Sequence, residues 1–375
     1  MRILYVVHKY DYGQSERGFC YEHHNFYQSL IDMGHEVEYF DFPTLADELG
    51  RGGMNRRLLE LVRSEKPELM FTVVWGDQLD RATVREISQN TDTVTVNWYC
   101  DDHWRFESLS RHWTPCFNWV VTTAQNALPK YEQAGYRNVI KSQWACSHRL
   151  YRKLDLPLKY DVTFVGLPHG ARRATVRVLR DAGIDVRTWG VGWEGGRLSQ
   201  NQMIEVFNQS RVNLNFSEAS SDGSPGSRLN AWGHRYLERP LLGVPGGWRV
   251  ASMGRSFAAK VAGGGGRRAN AMPRQIKGRT FEVPGCGGFL MTGDADNLSD
   301  YYRIGEQLAV FDSDVDLVEK IRHHLGHEEE RAAIARAGHQ RTLQEHTYER
   351  RFSEIFETIG LPDRVPAAGC RVMAA

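Results

Sequence analysis

A short segment in the last third of the chain, QIKGRTFEVPGCGGFLMT at 275–292, combines two cations with a carboxylate. If residues 274–283 form a helix, Arg279 and Glu282 are three positions apart and share a face. A carboxylate can accept two hydrogen bonds from a vicinal diol such as a ribose, and Lys277 and Arg279 can bind a phosphate. These side chains therefore suit a nucleotide or a sugar nucleotide. The alternative is an exposed Arg279–Glu282 ion pair, worth well under ~1 kcal/mol and irrelevant to function.

A second candidate anion site follows the predicted strand DVTFVG at 161–166. In open parallel sheets, ligands bind outside the carboxyl ends of the strands, so the loops there are the places to search. In the loop GLPHGARR, Gly166 allows the backbone to approach an anion closely. The following helix N-terminus presents free N–H groups, and His169 and Arg172 add cationic donors. A diphosphate would fit this loop; the alternative is a turn whose arginines are solvated.

Acidic and histidine side chains follow the predicted strand TVTVNWY at 93–99, in the sequence CDDHWRF. Asp102 or His103 could orient or deprotonate a substrate hydroxyl, with Asp101 beside them. The same residues offer oxygen and nitrogen ligands for a metal. A solvated loop is the third interpretation.

These candidate residues require a fold that brings strand ends together, and the chain provides one. Apolar strand-like runs alternate with helical stretches, which is typical of βαβ units and a parallel sheet. The alternation restarts near the sequence LDLPLKYD, which predicts two Rossmann-like α/β domains facing a cleft. We expect an N-terminal domain at 1–155 and a C-terminal domain at 156–346. The remaining predicted segments are an insertion at about 218–272, a last helix at 347–360 and a tail at 361–375.

Length, composition and charge set limits on the function. A chain of 375 residues fits about two domains, and 41% apolar with 25% charged residues is ordinary for a globular protein. The 47 Lys and Arg residues balance 46 Asp and Glu residues, so any anion site must be local. Six cysteines lack CxxC spacing, and no secretory pattern or long apolar run is present, so we expect a reduced, cytoplasmic protein without a membrane span.

The C-terminal part of the sequence resembles a known family. The run RTFEVPGCGGFLMT, the pair Gly305-Glu306 and the sequence HTYERRF at 346–352 resemble the C-terminal signature of the CgeB-like (spore maturation) glycosyltransferases. These belong to the group 1 glycosyltransferases with the two-domain GT-B type fold. The resemblance covers about residues 273–356 and implies that the last helix crosses back onto the first domain. It also implies that the N-terminal domain lies on the acceptor side and that the C-terminal domain binds the nucleotide sugar.

The resemblance also implies roles for individual residues. Glu282 matches the glutamate that commonly binds the donor ribose, while Lys277 and Arg279 are the candidates for the diphosphate. Gly287, in the glycine run, is expected on the donor side. A second glutamate usually stands eight positions before the first, but this chain has Arg274 there, which leaves the donor and the anomeric outcome open.

The first loop, HKYDYGQSERGF at 8–19, is expected at the mouth of the cleft in this fold. Gly13 and Arg17 are its candidates for the acceptor side, together with Asp101. Lys277 is expected to be catalytic with Asp102 and His103, because it would stabilise charge on the leaving diphosphate.

The sequence thus predicts a glycosyltransferase that moves a sugar from a nucleotide diphosphate sugar to an acceptor hydroxyl. The resemblance implies retention and independence of metal, with no cofactor and with a UDP-sugar as the preferred co-substrate. The acceptor is a glycan, a small molecule or modified DNA. The alternatives are a sugar-nucleotide epimerase or hydrolase, and a non-catalytic sugar-binding or coat-assembly protein, which the presence of Arg274 favours.

Overall fold

The first part of the chain forms a six-stranded parallel sheet. The computed structural model describes residues 1–219 and 273–361. The strands are β1 (Arg2–Val6), β2 (Glu36–Phe40), β3 (Leu69–Thr72), β4 (Val94–Tyr99), β5 (Trp119–Thr122) and β6 (Val139–Lys141). They lie in the order β2-β1-β3-β4-β5-β6, and every neighbouring pair is parallel. All four residues of β3 are buried, as expected for a central strand covered on both faces.

Helices connect these strands and cover the sheet. They are α1 (Gln28–Asp32), α2 (Phe42–Glu65), α3 (Arg81–Asn90), α4 (Asp102–Arg105), α5 (Arg111–Trp113) and α6 (Leu128–Gln133). A π-helical turn, His23–Tyr27, leads directly into α1. Helix α2 is broken at Gly50, whose φ of 69° is a conformation that glycine adopts readily.

The second part of the chain forms a five-stranded parallel sheet. Its strands are β7 (Tyr160–Val165), β8 (Val186–Trp189), β9 (Ser210–Asn215), β10 (Leu290–Gly293) and β11 (Ala309–Phe311). Their order is β11-β10-β9-β7-β8. The helices are α7 (Arg172–Asp181), α8 (Gln200–Gln209), α9 (Arg279–Gly285), α10 (Asp314–Gly326) and α11 (Glu328–Glu345). The predicted α/β architecture with two parallel sheets is confirmed.

Helix α9 begins later than the sequence pattern predicts. The expected helix at 274–283 is wrong in its first turn, because the backbone before Gly278 follows the segment after β9 instead. Gln275 N donates to Ser217 O at 2.8 Å, and Ala219 N donates to Pro273 O at 2.9 Å. The helix therefore starts at Arg279, and residues 275–277 precede it.

The last helix, α12 (Tyr348–Thr358), packs on the first sheet although it follows the second one in sequence. The ring of Phe352 lies 5.8 Å from that of Phe26 and 5.7 Å from that of Phe71. Before the helix, Cys146 N donates to His346 O at 2.8 Å. This aromatic packing joins the two halves through one hydrophobic cluster.

Two predicted segments fall largely or wholly outside the described residues: 220–272 of the insertion and 362–375 of the tail. Among the described helices, none combines the length and the apolar character needed to cross a membrane.

Candidate functional site

A cavity of about 240 Å³ opens at the carboxyl ends of β7 and β9, on the side of the second sheet that faces the first domain. Its lining combines the loop after β7, the residues before α9 and one residue of the first domain. The lining residues are Tyr21, Phe164, Val165, Gly166, Leu167, His169, Arg172, Asn215, Lys277, Gly278 and Arg279. The two anion-binding segments predicted from the sequence therefore meet in one cavity.

Arg172 supplies a buried positive charge to this cavity. Its side chain is held by main-chain carbonyls, with Nη1 donating to Leu167 O at 2.9 Å and Nη2 to Phe216 O at 3.3 Å. Burial lowers the pKa of Arg172 to about 10, with the Glu218 carboxylate opposing that shift. Among the described residues, no carboxylate lies within ion-pair distance of this guanidinium. A buried cation without a counter-ion favours an anionic ligand.

Lys277 is the second cation of the cavity. Burial, and then the neighbouring charge of Arg172, lower the pKa of Lys277 to about 8, while Asp101 of the first domain acts in the opposite direction. Among the described residues, the ammonium makes no ion pair within 4.0 Å. A bound phosphate would supply the missing partner and favour the charged form of the lysine.

Arg279 and Glu282 form an ion pair on the first turn of α9. Glu282 has no exposed surface, so the alternative of an exposed pair is wrong. The other carboxylate oxygen, Oε1, accepts a hydrogen bond of 2.7 Å from Tyr151 Oη, and Arg279 Nε donates to Val165 O at 3.4 Å. In this arrangement Glu282 holds Arg279 against the cavity wall, and Glu282 itself is not among the residues that line the cavity.

Gly278 of the second domain packs against Tyr21 of the first domain at the cavity. A methyl group in place of its hydrogen would lie 2.4 Å from Tyr21 Oη, so a larger residue would force the domains apart. Tyr21 Oη also forms a hydrogen bond of 2.9 Å with Tyr348 Oη, which fixes the phenol at the cleft. The glycine of the sequence QIKGR is thus required by packing between domains.

The loop after β4 approaches this region from the first domain, but its three candidate residues have different environments. His103 is 6% exposed, and burial followed by the charges of Lys277 and Lys141 lowers its pKa to about 4. Asp101 Oδ1 accepts a hydrogen bond of 3.4 Å from Gln275 Nε2 of the second domain. His103 is therefore a neutral imidazole near Lys277, able to accept a proton.

Asp102 lies inside the first domain instead. Its Oδ2 accepts a hydrogen bond of 2.7 Å from Tyr131 Oη, and its Oδ1 accepts one from Ser110. The side chain is 1% exposed. This geometry gives Asp102 the role of anchoring the loop that carries His103, and the structure does not bring it to the cavity.

The first loop lies beside the second domain at the outer edge of the cleft. Gly13 has a φ of 71° and ends a tight turn. Arg17 contacts Asp11 at 3.2 Å, and the same carboxylate contacts Arg197 of the second domain at 2.6 Å. Gly13 and Arg17 thus belong to a loop that bridges the domains, at a distance from the residues that line the cavity.

Gly287 lies at the other end of α9 from the cavity. A side chain there would meet the methylenes of Lys153 at 3.2 Å, and its φ of 73° terminates the helix. The structure does not bring Gly287 to the donor side.

Three residues of this region were missed by sequence reasoning. Asn215 ends β9 at the carboxyl edge, and its Nδ2 donates to Thr292 Oγ1 at 2.9 Å. Its position at the carboxyl end of a parallel strand could have identified Asn215 as a site residue from the sequence. Tyr21 and Tyr151 reach the site through the arrangement of the domains and through the segment between the sheets, and no sequence pattern indicates such contacts.

The C-terminal half of the chain also matches a family model. A model of a glycosyl transferase-like family matches residues 172–233 and 230–357. These residues contain Lys277, Arg279 and Glu282. A search of the curated proteins found no match.

Solved structures share the whole architecture. HepE from Anabaena in complex with UDP-glucose is 12% identical, with a TM-score of 0.57 over 96% of this chain and 99% of that chain. Sucrose-phosphate synthase from Thermosynechococcus elongatus is 10% identical, with a TM-score of 0.52 over 96% and 99%. The lipopolysaccharide outer core galactosyltransferase WaaB, in its apo form, is 10% identical, with a TM-score of 0.53 over 96% and 99%.

The predicted fold of two Rossmann-like domains is confirmed by these similarities and by the two parallel sheets. The protein has the GT-B fold, and its C-terminal half matches the glycosyl transferase-like family.

Proposed function

We propose that this protein is a glycosyltransferase that takes its sugar from a nucleoside diphosphate sugar. The observation that carries the proposal is the cavity at the carboxyl edge of the second sheet, where the buried Arg172 and the half-buried Lys277 have no carboxylate in ion-pair contact among the described residues. A diphosphate has the charge and the oxygen geometry that these two cations require. The matched family and the UDP-glucose bound by HepE support this choice of ligand.

The proposed reaction breaks the bond between the anomeric carbon and the diphosphate oxygen, and forms a bond between that carbon and an acceptor oxygen. Negative charge grows on the departing diphosphate, and the charged forms of Lys277 and Arg172 stabilise it. The acceptor hydroxyl loses its proton to the departing phosphate oxygen or to the neutral His103, which lies near Lys277. Closure around the Gly278–Tyr21 contact excludes water from the reacting centre.

The finer assignments are also part of the proposal. Because of the sequence RTFEVPGCGGFLMT, we place the chain in the CgeB-like branch of the glycosyltransferases. We further propose that the donor is a UDP-hexose, that the anomeric configuration is retained and that no metal takes part in the transfer step. The acceptor side is the first domain, around His103 and Asp101. We place the reaction in the cytoplasm.

A turnover assay with the full-length protein tests the proposal. UDP-hexoses are incubated with acceptor panels of oligosaccharides, small glycosides and duplex DNA, while released UDP and the sugar products are measured. We expect UDP release that depends on one acceptor class, with a decrease of about a hundredfold or more in Lys277→Ala. Lys159→Ala is the matched control, since this lysine is exposed on the second domain away from the cavity lining.

Two results would contradict transfer. An epimerised or fully hydrolysed donor, without any glycosylated acceptor, would identify a sugar-nucleotide isomerase or hydrolase. Tight binding of a nucleotide sugar without any product would identify a non-catalytic binding protein.

A further inference from the structure

The first domain contains a cluster of metal-ligating side chains that the transfer reaction does not use. His8, Cys20 and Glu22 each offer one ligand atom, and these three atoms all lie within 4.8 Å of one another. His8 follows β1 at the carboxyl edge of the first sheet, and Cys20 and Glu22 precede the π-helical turn. Residues 8–22 therefore form a loop whose two ends meet at this cluster.

The separation between two of the ligand atoms fits coordination of a common ion. His8 Nε2 lies 3.5 Å from Glu22 Oε2, which is longer than an ordinary hydrogen bond. Two ligands that are each about 2.1 Å from a tetrahedral zinc ion lie about 3.4 Å apart. His8 Nδ1 is buried and has no hydrogen-bond partner among the described residues, so the imidazole is not fixed by any other polar contact of its ring.

The surroundings of the thiol hold its sulfur toward the cluster. Cys20 is 2% exposed, its thiol donates a hydrogen bond of 2.9 Å to His8 O, and the backbone N–H of His23 donates to the sulfur at 3.3 Å. An N–H donor to sulfur stabilises a metal-bound thiolate.

Hydrogen bonds also fix the backbone that carries the other two ligands. Tyr39 Oη donates to His8 O at 3.2 Å, and Tyr5 Oη donates to Glu22 O at 3.0 Å. The three ligands are thus presented from a rigid framework, as binding of a metal without large reorganisation requires.

The charge of the cluster is suited to a divalent cation. Within residues 1–219 and 273–361, the Glu22 carboxylate has no ion pair with a lysine or an arginine. A thiolate and a carboxylate together carry two negative charges, and a neutral imidazole adds none. One nitrogen, one sulfur and one oxygen ligand match zinc better than calcium or magnesium, which prefer oxygen alone.

We propose that His8, Cys20 and Glu22 form a zinc-binding site with one open coordination position. Three protein ligands leave a fourth position for water or for a group of a bound molecule. The ion would tie both ends of the 8–22 loop together and so order the segment that carries Asp11, which contacts Arg197 of the second domain. This site is separate from the donor cavity, and the proposal stands independently of the proposed function.

Binding of Zn²⁺ and Co²⁺ to the metal-free full-length protein tests this site. We expect one ion per chain, a thiolate-to-cobalt charge-transfer absorption band, and a rise in the melting temperature on addition of Zn²⁺. Cys20→Ser should remove the charge-transfer band, and His8→Gln and Glu22→Gln should each weaken binding at least tenfold. Far-UV circular dichroism of each variant without metal reports whether it is folded.

A second histidine cluster provides the matched control. His323 and His324 lie near Glu330, and His323 Nε2 is already in a hydrogen bond of 2.8 Å with that carboxylate on an exposed helix end. His323→Ala should leave the stoichiometry and the cobalt spectrum unchanged. Absence of stoichiometric binding to the wild-type protein would overturn the proposal. So would a cobalt spectrum that persists in folded Cys20→Ser.

Discussion

Tyr151 Oη donates a hydrogen bond of 2.7 Å to the buried carboxylate of Glu282, and the other oxygen of that carboxylate pairs with Arg279 at the wall of the cavity. Tyr151 lies in the segment that joins the two sheets. The contact therefore links the connection between the domains to the first turn of α9. Any movement of this segment on domain closure would act on the position of Arg279.

The Arg279–Glu282 pair should contribute far more to stability than an exposed pair of the same spacing. Glu282→Ala leaves the buried Tyr151 hydroxyl and the half-buried Arg279 guanidinium without their partner, and we expect a loss of about 1–3 kcal/mol in the free energy of unfolding. The matched control is Glu306→Ala, because Arg303 and Glu306 have the same i,i+3 spacing but are about two-thirds exposed. Glu306→Ala should lower the free energy of unfolding by less than about 1 kcal/mol. Urea unfolding curves measure both values, and equal losses would refute the structural role of the pair.

Donor affinity should depend on pH through Lys277. Since the pKa of Lys277 is lowered to about 8, its ammonium is charged below that pH and becomes neutral above it. Affinity for a nucleoside diphosphate should therefore fall as the pH rises from about 7 to about 9. Because a bound phosphate favours the charged form of Lys277, the pKa of this lysine in the complex should lie above 8. Titration calorimetry across this range checks the prediction, and Lys277→Arg should flatten the profile because arginine stays charged.

Substitution of Gly278 should prevent close approach of the two domains. In Gly278→Ala the added methyl group overlaps Tyr21 Oη, so we expect donor turnover to fall by tenfold or more. Tyr21→Ala in the same chain should recover part of the loss, since the clashing ring is removed. Gly326→Ala is the control, because a methyl group there meets no atom within 4 Å. Equal turnover of the wild-type protein and Gly278→Ala would exclude a role for this contact.

Buried histidines should make the protein sensitive to acid. Burial lowers the pKa of His103 and His346 to about 4, whereas both return to about 6.5 on unfolding. Between pH 6.5 and pH 4 the unfolded chain therefore binds more protons than the folded protein. The stability that the two neutral histidines contribute is fully present above pH 6.5 and is lost as the pH falls toward 4. Each histidine contributes at most about 1.4 kcal/mol per pH unit in that window. Urea unfolding at pH 7 and pH 5 measures the difference in the free energy of unfolding between the two pH values. This difference should be smaller in His346→Gln.

The sequence was informative where local pattern determines structure. Alternation of strands and helices predicted both parallel sheets, and the rule for strand ends brought Gly166, His169, Arg172 and Lys277 to one cavity. The start of α9 was misplaced, because the pairing of Gln275 with Ser217 is a long-range contact that local propensity does not report. Asp102 and His103 are adjacent in sequence, yet one is anchored by Ser110 and Tyr131 and the other lies near Lys277. Such differences depend on tertiary packing.

The most direct test of the donor site is isothermal titration calorimetry of uridine, guanosine, adenosine and thymidine diphosphates with the wild-type protein, Lys277→Ala and Lys159→Ala. We predict that at least one diphosphate binds the wild-type protein and Lys159→Ala alike, and binds Lys277→Ala at least tenfold more weakly. Equal affinity of Lys277→Ala and the wild-type protein, or no binding of any of the four to the folded wild-type protein, would contradict the assignment of this cavity to the donor diphosphate.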